Sequence, residues 1–337
     1  MVTPMIKNYR PILLLFIYVM LGILIDQIFI RKAFLPKSTC ASYTLSIKNP
    51  IEIPFQVSPN VQIINLSQPI NADFKCISTK KLLNFINTTI CLHETENDRF
   101  VSNSFHGTNS IWEEDGVKRI LQLLIRHPYL DFIDIGANIG TYTMYAAALG
   151  RFVLAIDCFA PNINRIHRAV QITNVANRVV LIQNAIFTHS GQYLHLKNYS
   201  RNIGGQELDI SKKLFINQNV INNPYIVKTI KFDELLPILV ARGVRGAIIK
   251  MDIERSESFV VESGSRVFDA LEIPFVQMEW MGVRSYPGRA KGIIDFFVKR
   301  NYDPKSYSCQ LLNTTQYATW PYDVKRKRFS IQFLLKK

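Results

Sequence analysis

From Phe132 the chain reads Phe-Ile-Asp-Ile-Gly-Ala-Asn-Ile-Gly and passes straight into 141–149, a helical stretch closed by Gly150. A short apolar strand, a turn carried by Gly136 and Gly140, and a helix opened directly behind it form the unit from which parallel α/β sheets are built. The pattern recurs. Val117, Ile120, Leu121, Leu124 and Ile125 keep the i, i+3, i+4, i+7, i+8 spacing of an amphipathic helix. Brief apolar runs at 132–135, 152–156, 179–182, 247–251 and 275–278 read as buried parallel strands. A further helix is predicted over 162–173, with Ile163, Ile166 and Val170 on one face. The run 329–335 begins in strict alternation, as an antiparallel edge strand does. The expected class is a doubly wound α/β sheet, mostly parallel, with an antiparallel C-terminal strand.

The strand tips carry the chemistry. A dinucleotide fingerprint needs G-x-G-x-x-G to seat a pyrophosphate, but Asn138 stands at its second glycine and Asp134 precedes the turn. A carboxylate there suits a cationic or neutral ligand, and S-adenosylmethionine (SAM) carries a sulfonium and an ammonium and no phosphate. Asp157 ends the next strand, where an acidic side chain accepts hydrogen bonds from ribose hydroxyls. Gln183-Asn184-Ala185 ends the third, an amide and a small residue suited to an adenine edge.

These residues lie in motifs that resemble FkbM-type methyltransferases, a SAM-dependent branch of the class I Rossmann-like enzymes. The motifs are Asp134-Ile-Gly-Ala-Asn-Ile-Gly140, Asn202-Ile-Gly-Gly205, Val227–Leu236 and Ile249-Lys-Met-Asp-Ile-Glu254, together with Ile111-Trp-Glu113 and Met278-Glu-Trp280. The resemblance spans residues 90–337 and implies a class I Rossmann-like sheet, SAM as cofactor and O-methylation. It also implies that Glu113, Asp134, Gly136, Asn138, Gly140, Asp157 and Asn184, with Ala185 beside it, line the cofactor site. Two positions depart from the family. Arg255 stands where glycine is typical, which would strain the loop by about 1 kcal/mol or more if the backbone there has φ > 0. Asp157-Cys-Phe-Ala replaces the usual Glu-Pro.

A sugar hydroxyl is a poor nucleophile at neutral pH, so a carboxylate that takes its proton assists transfer. Asp252 and Glu254, just past the fourth strand, are the candidate catalytic residues, with a loop-capping pair as the plain alternative; Glu279 is a weaker candidate. Asp252 and Glu254 could also help to hold a divalent metal, but no histidine cluster accompanies them, the six histidines form no ligand spacing, and no metal site is expected.

The N-terminus adds an address. Residues 11–30 hold a single charge, Asp26, and as a helix would rise ~30 Å, enough to span a bilayer core. The chain therefore divides into a tail (1–10), a single-pass transmembrane signal anchor (11–30), a solvated stem (31–89) and the methyltransferase-like domain (90–337). Basic residues flank the anchor almost evenly. The sequons at Asn65, Asn87, Asn198 and Asn313 all follow it, which favours a type II glycoprotein in the Golgi lumen. Of the five cysteines, Cys76 and Cys91 could pair in such a compartment, whereas Cys158 reads as a packed thiol. Forty Lys and Arg against 26 Asp and Glu leave a net charge of +14. On an anchored chain the run Lys325-Arg-Lys-Arg328 reads as solvated surface, and no nucleic-acid partner is expected. The expected acceptor is a carbohydrate or other hydroxyl-bearing molecule. A degenerate, non-catalytic binding fold and a cytosol-facing enzyme acting on lipids or small metabolites are the alternatives.

Overall fold

In the computed structural model, which describes residues 56–70, 72–105, 110–199, 201–213, 223–320 and 330–336, the apolar runs become the centre of one large sheet. The described chain opens with a hairpin of β1 (Cys76–Ser78) and β2 (Thr89–Cys91), antiparallel and tied by the Cys76–Cys91 disulfide. Then come α1 (Val101–Ser104), α2 (Glu114–Arg126), β3 (Asp131–Ile135), α3 (Thr141–Ala148), β4 (Val153–Asp157), α4 (Ala160–Thr173) and β5 (Val179–Gln183). A smaller sheet follows, from β6 (Ala185–Ile186), β7 (Tyr193–Leu196), β8 (Leu208–Lys213) and β9 (Ile226–Ile230). The chain returns to the main sheet through α5 (Leu236–Ala241), β10 (Gly246–Met251), α6 (Glu257–Ser263), α7 (Ser265–Ala270) and β11 (Glu272–Glu279). It finishes with α8 (Pro287–Lys299), β12 (Tyr302–Lys305) and β13 (Ser330–Leu335).

The main sheet runs β12-β13-β11-β10-β3-β4-β5. Five successive strands, β11, β10, β3, β4 and β5, are parallel, and β13 is antiparallel to both neighbours. The order in which the chain adds strands reverses between β3 and β10, and in such sheets ligands bind outside the carboxyl ends at that switch point. Period-two alternation sorts the core into two layers. Ile133, Ile135, Ile249 and Met251 pack with Phe232, Leu239 and Phe297 on one face, while Phe132, Ile248 and Phe275 meet Leu121, Tyr145 and Ile166 on the other.

The expected mixed, largely parallel sheet is present, with two corrections. The C-terminal strand is antiparallel but interior, because β12 pairs beyond it. The stem reading fails over its described part, 56–89. There Ile64 N–H donates to Leu181 O and Gln183 N–H to Gln62 O, so the segment extends the sheet past β5. Thus β5, the last parallel strand, is not left as a bare edge. The tail, the anchor and residues 31–55 lie outside the described residues, and among the described ones no helix is long and apolar enough to cross a membrane.

Candidate active site

β3 and β10 meet so closely at the switch point that a Cβ on Gly136 would stand 1.8 Å from the Asp252 carbonyl oxygen. Gly136 also has φ +80°, a conformation that costs other residues about 1–2 kcal/mol. Above this crossing lies a cavity of about 260 Å³. Eight of the ten expected site residues reach its wall: Glu113, Gly136, Asn138, Asp157, Asn184, Ala185, Asp252 and Glu254. The other two do not. Gly140 begins α3 beneath the turn and faces Ile166. Asp134 is fully buried below the floor, where Oδ2 accepts from the Thr143 hydroxyl at 2.7 Å.

Asp134 belongs to a buried polar row. Strand register places Asp134, Lys250, Gln277 and Gln332 side by side across β3, β10, β11 and β13. The Lys250 ammonium lies 3.7 Å from Asp134 and 3.5 Å from Asp252, and it donates to the Gly136 carbonyl at 2.9 Å. Burial opposes its charge, but Asp252, Asp134 and Glu113 together hold it above the usual lysine range. Gln277 donates to the Tyr142 hydroxyl at 3.2 Å, which in turn donates to Glu113 at 2.9 Å. Lys250 and Tyr142 both line the cavity; Lys250 falls within the 249–254 motif, but neither residue is given a place in the site by the sequence reading. The available signal was one polar residue, always second from the end, in each of the apolar runs Phe132–Ile135, Ala247–Met251 and Phe275–Met278.

Two other assignments change in detail. The Asn184 amide accepts from Gln62 N–H at 2.7 Å and donates to the Asn60 and Lys228 carbonyls at 3.2 and 3.1 Å. Its polar atoms therefore tie the incoming 60–62 segment to the sheet and are not free to read a base edge. Asp157 accepts from Asn138 N–H and Phe159 N–H, each at 2.8 Å, and the Asn162 amide donates at 3.4 Å to both of its oxygens. The 202–205 loop closes over the wall, and a Cβ on Gly205 would lie 2.8 Å from Glu254 Oε1. Arg255 does have φ +73°, so its backbone bears the expected strain, and Glu254 before it has φ +50°. The Arg255 side chain reaches out to Glu207 at 3.2 Å and is not among the residues that line the cavity, so it does not fill the site.

The wall is acidic. Among the described residues that line it, Lys250 is the single lysine or arginine, against Glu113, Asp157, Asp252 and Glu254. Burial, then the charge of Asp252, pushes Glu113 and Glu254 each up to about 7, and burial pushes Asp157 up to about 6. Behind the wall, burial pushes Glu257 up to about 8. Glu279 rises to about 10, through burial and the charges of Asp252, Glu254 and Glu257, and so stays protonated at neutral pH. That argues against Glu279 as a base.

These carboxyls deprotonate near their ordinary values when unfolded but hold protons to higher pH when folded. The folded state thus binds more protons between those limits, and stability falls as pH rises. His93, pushed down to about 4 mainly by burial, and His127, also lowered by burial, act with the opposite sign, but only below the ordinary histidine value. The melting temperature of the ligand-free protein is therefore expected to drop between about pH 6.5 and 8.5. Scanning calorimetry reads this directly, and a flat or rising profile would contradict the protonated cluster.

No family model and no curated protein matches the chain. Among solved structures it is similar to the O-methyltransferase from Bacillus cereus in complex with SAH. The two are 12% identical, and the match covers 64% of this chain and 79% of that one. The TM-score is 0.34, and an overlap of that size carries no argument about activity.

Proposed function

We propose that this chain is a SAM-dependent O-methyltransferase of the FkbM type, acting on a hydroxyl of a glycan in the secretory lumen. The observation that carries the reading is the acidic cavity at the switch point. Lys250 is already bound to Asp134, Asp252 and a carbonyl, so a pyrophosphate would face carboxyls with no available cation. A sulfonium and an ammonium suit that donor set. Glu113, Asp157 and the 136–138 turn would hold the cofactor, with Asp157 accepting from the ribose. Bound SAM supplies an electrophilic methyl group. Glu254 takes the proton from the acceptor hydroxyl, and holding that hydroxyl in line accounts for much of the acceleration. The motifs that resemble the family, 134–140, 202–205 and 249–254, converge on this one cavity.

The Cys76–Cys91 disulfide supports an oxidising compartment. Asn65, Asn87, Asn198 and Asn313 are all exposed, as acceptors of N-linked glycans must be. The deciding experiment incubates the purified protein with isotope-labelled SAM and a mixed glycan extract, and reads products by mass spectrometry. Absence of both SAM binding and labelled product would overturn the proposal. Within it, Asp157→Ala is expected to weaken SAM binding by about 1.5–3 kcal/mol, the worth of hydrogen bonds to a charged group. Unchanged affinity by calorimetry in a folded variant would remove Asp157 from the cofactor site.

A further inference from the structure

A second cavity, of about 460 Å³, meets the first at Glu254, Gly205, Asn202 and Phe100. We infer that it is an acceptor subsite selective for acidic saccharides, with the sugar's anionic group on Arg201 and Arg255 and a hydroxyl turned toward Glu254. The inference rests on the methyltransferase reading and narrows its substrate.

Charge is the first ground. Arg201 lines the cavity, is exposed, and has no ion-pair partner among the described residues. Arg255 is fixed by Glu207, a carboxylate only 7% exposed that also binds Lys197 at 2.9 Å and accepts from the Tyr199 hydroxyl at 3.0 Å. One buried carboxylate thus holds two cations, and the lining itself sets Arg201 and Arg255 against Glu207 and Glu254, with Lys197 on the far side of Glu207. Glu254, pushed up to about 7, subtracts only part of a charge. The strained Arg255 backbone is braced as well, since Arg289 donates to its carbonyl at 3.2 Å. A preorganised guanidinium beside an open one suits a carboxylate or sulfate.

Shape is the second. Phe100 and Tyr199, 51% and 40% exposed, line the cavity with aromatic surface, as the apolar face of a pyranose requires. The other neighbouring cavity, about 580 Å³, joins the first at Phe100, Trp112, Glu113 and Tyr142; it does not touch Glu254, and its lining sets Arg99 against Glu113, Glu114 and Asp115. The net charge of +14 steers anionic acceptors to the protein as a whole.

The test compares methyl glucuronide with methyl glucoside, which differ at C6 as carboxylate against hydroxymethyl. Binding to the full chain is followed by ligand-observed NMR with and without SAH, and SAM affinity is measured separately. The glucuronide is expected to bind about tenfold or more tightly, and Arg201→Gln to erase the preference. Equal binding of the two sugars, binding of neither, or a preference that survives both Arg201→Gln and Arg255→Gln would overturn the inference. If SAM binds but the sugars are not distinguished, the subsite fails and the methyltransferase reading stands. If SAM fails to bind while Arg201 still selects the glucuronide, the anion site stands and the methyltransferase reading fails.

Discussion

Replacing Glu254 with Gln is expected to lower turnover by about 10²–10⁴-fold, the usual cost of losing a general base, while SAM affinity changes only a few-fold. Glu254 is the carboxyl that lines both the cavity at the switch point and its polar neighbour, and its value of about 7 matches a base working near neutral pH. Gln keeps the length and the tolerance of the site but accepts no proton. The wild-type rate is expected to rise through about pH 7 as Glu254 deprotonates, and the variant to lose that limb. Asp252 is the contrasting case. It sits 3.5 Å from the Lys250 ammonium, so Asp252→Asn removes an ion pair and is expected to alter stability and binding along with rate. Measuring rate, SAM affinity and melting temperature on one preparation of each variant separates the two. Near-wild-type turnover in folded Glu254→Gln would refute its role as base while leaving the proposed cofactor site standing.

How far the sequence reached depended on how locally each feature is encoded. The five parallel strands were legible because burial on both faces makes each a short apolar run, and Gly136 was legible because the turn cannot tolerate a Cβ. Eight wall residues were legible because they sit at strand tips or in named motifs. The small sheet was missed, although Tyr193-Leu-His-Leu carries the period-two alternation that marks a half-buried strand. Residues 56–66 were read as spacer because the pairing of Gln62 and Ile64 with β5 runs through backbone groups, which no side-chain pattern announces. Asn184 shows the same limit. Its position at a strand tip was visible, but its partners lie 122 and 124 residues before it and 44 after it, and no local rule names them. Asp134 was placed in the cofactor site because a carboxylate before a glycine turn suggests a ligand; its partner, Lys250, is 116 positions away and was hidden in a run read as apolar.

That pairing leads to the second large effect. Lys250→Met is expected to destabilise the protein by about 3–5 kcal/mol, the cost of removing one partner from a buried ion pair. Asp134 is fully exposed to that loss, being 0% solvent-accessible, and one of its oxygens, Oδ1, already lacks a hydrogen-bond partner. Asp252, Glu113 and Glu254 would also lose the cation that offsets their mutual repulsion. A domain of this size shifts its melting temperature by about 2–4 °C per kcal/mol, so a drop on the order of 10 °C is expected. Met fills nearly the same space, which separates the loss of charge from the loss of volume. Adding Asp134→Asn to Lys250→Met is expected to recover part of the loss, because the uncompensated carboxylate is gone while the Thr143 hydroxyl still has an acceptor. Lys250 further ties the Gly136 carbonyl, so SAM affinity should fall in Lys250→Met even where the protein remains folded. An unchanged melting temperature would show that the row tolerates an unpaired Asp134, and that Lys250 does not hold the switch point together.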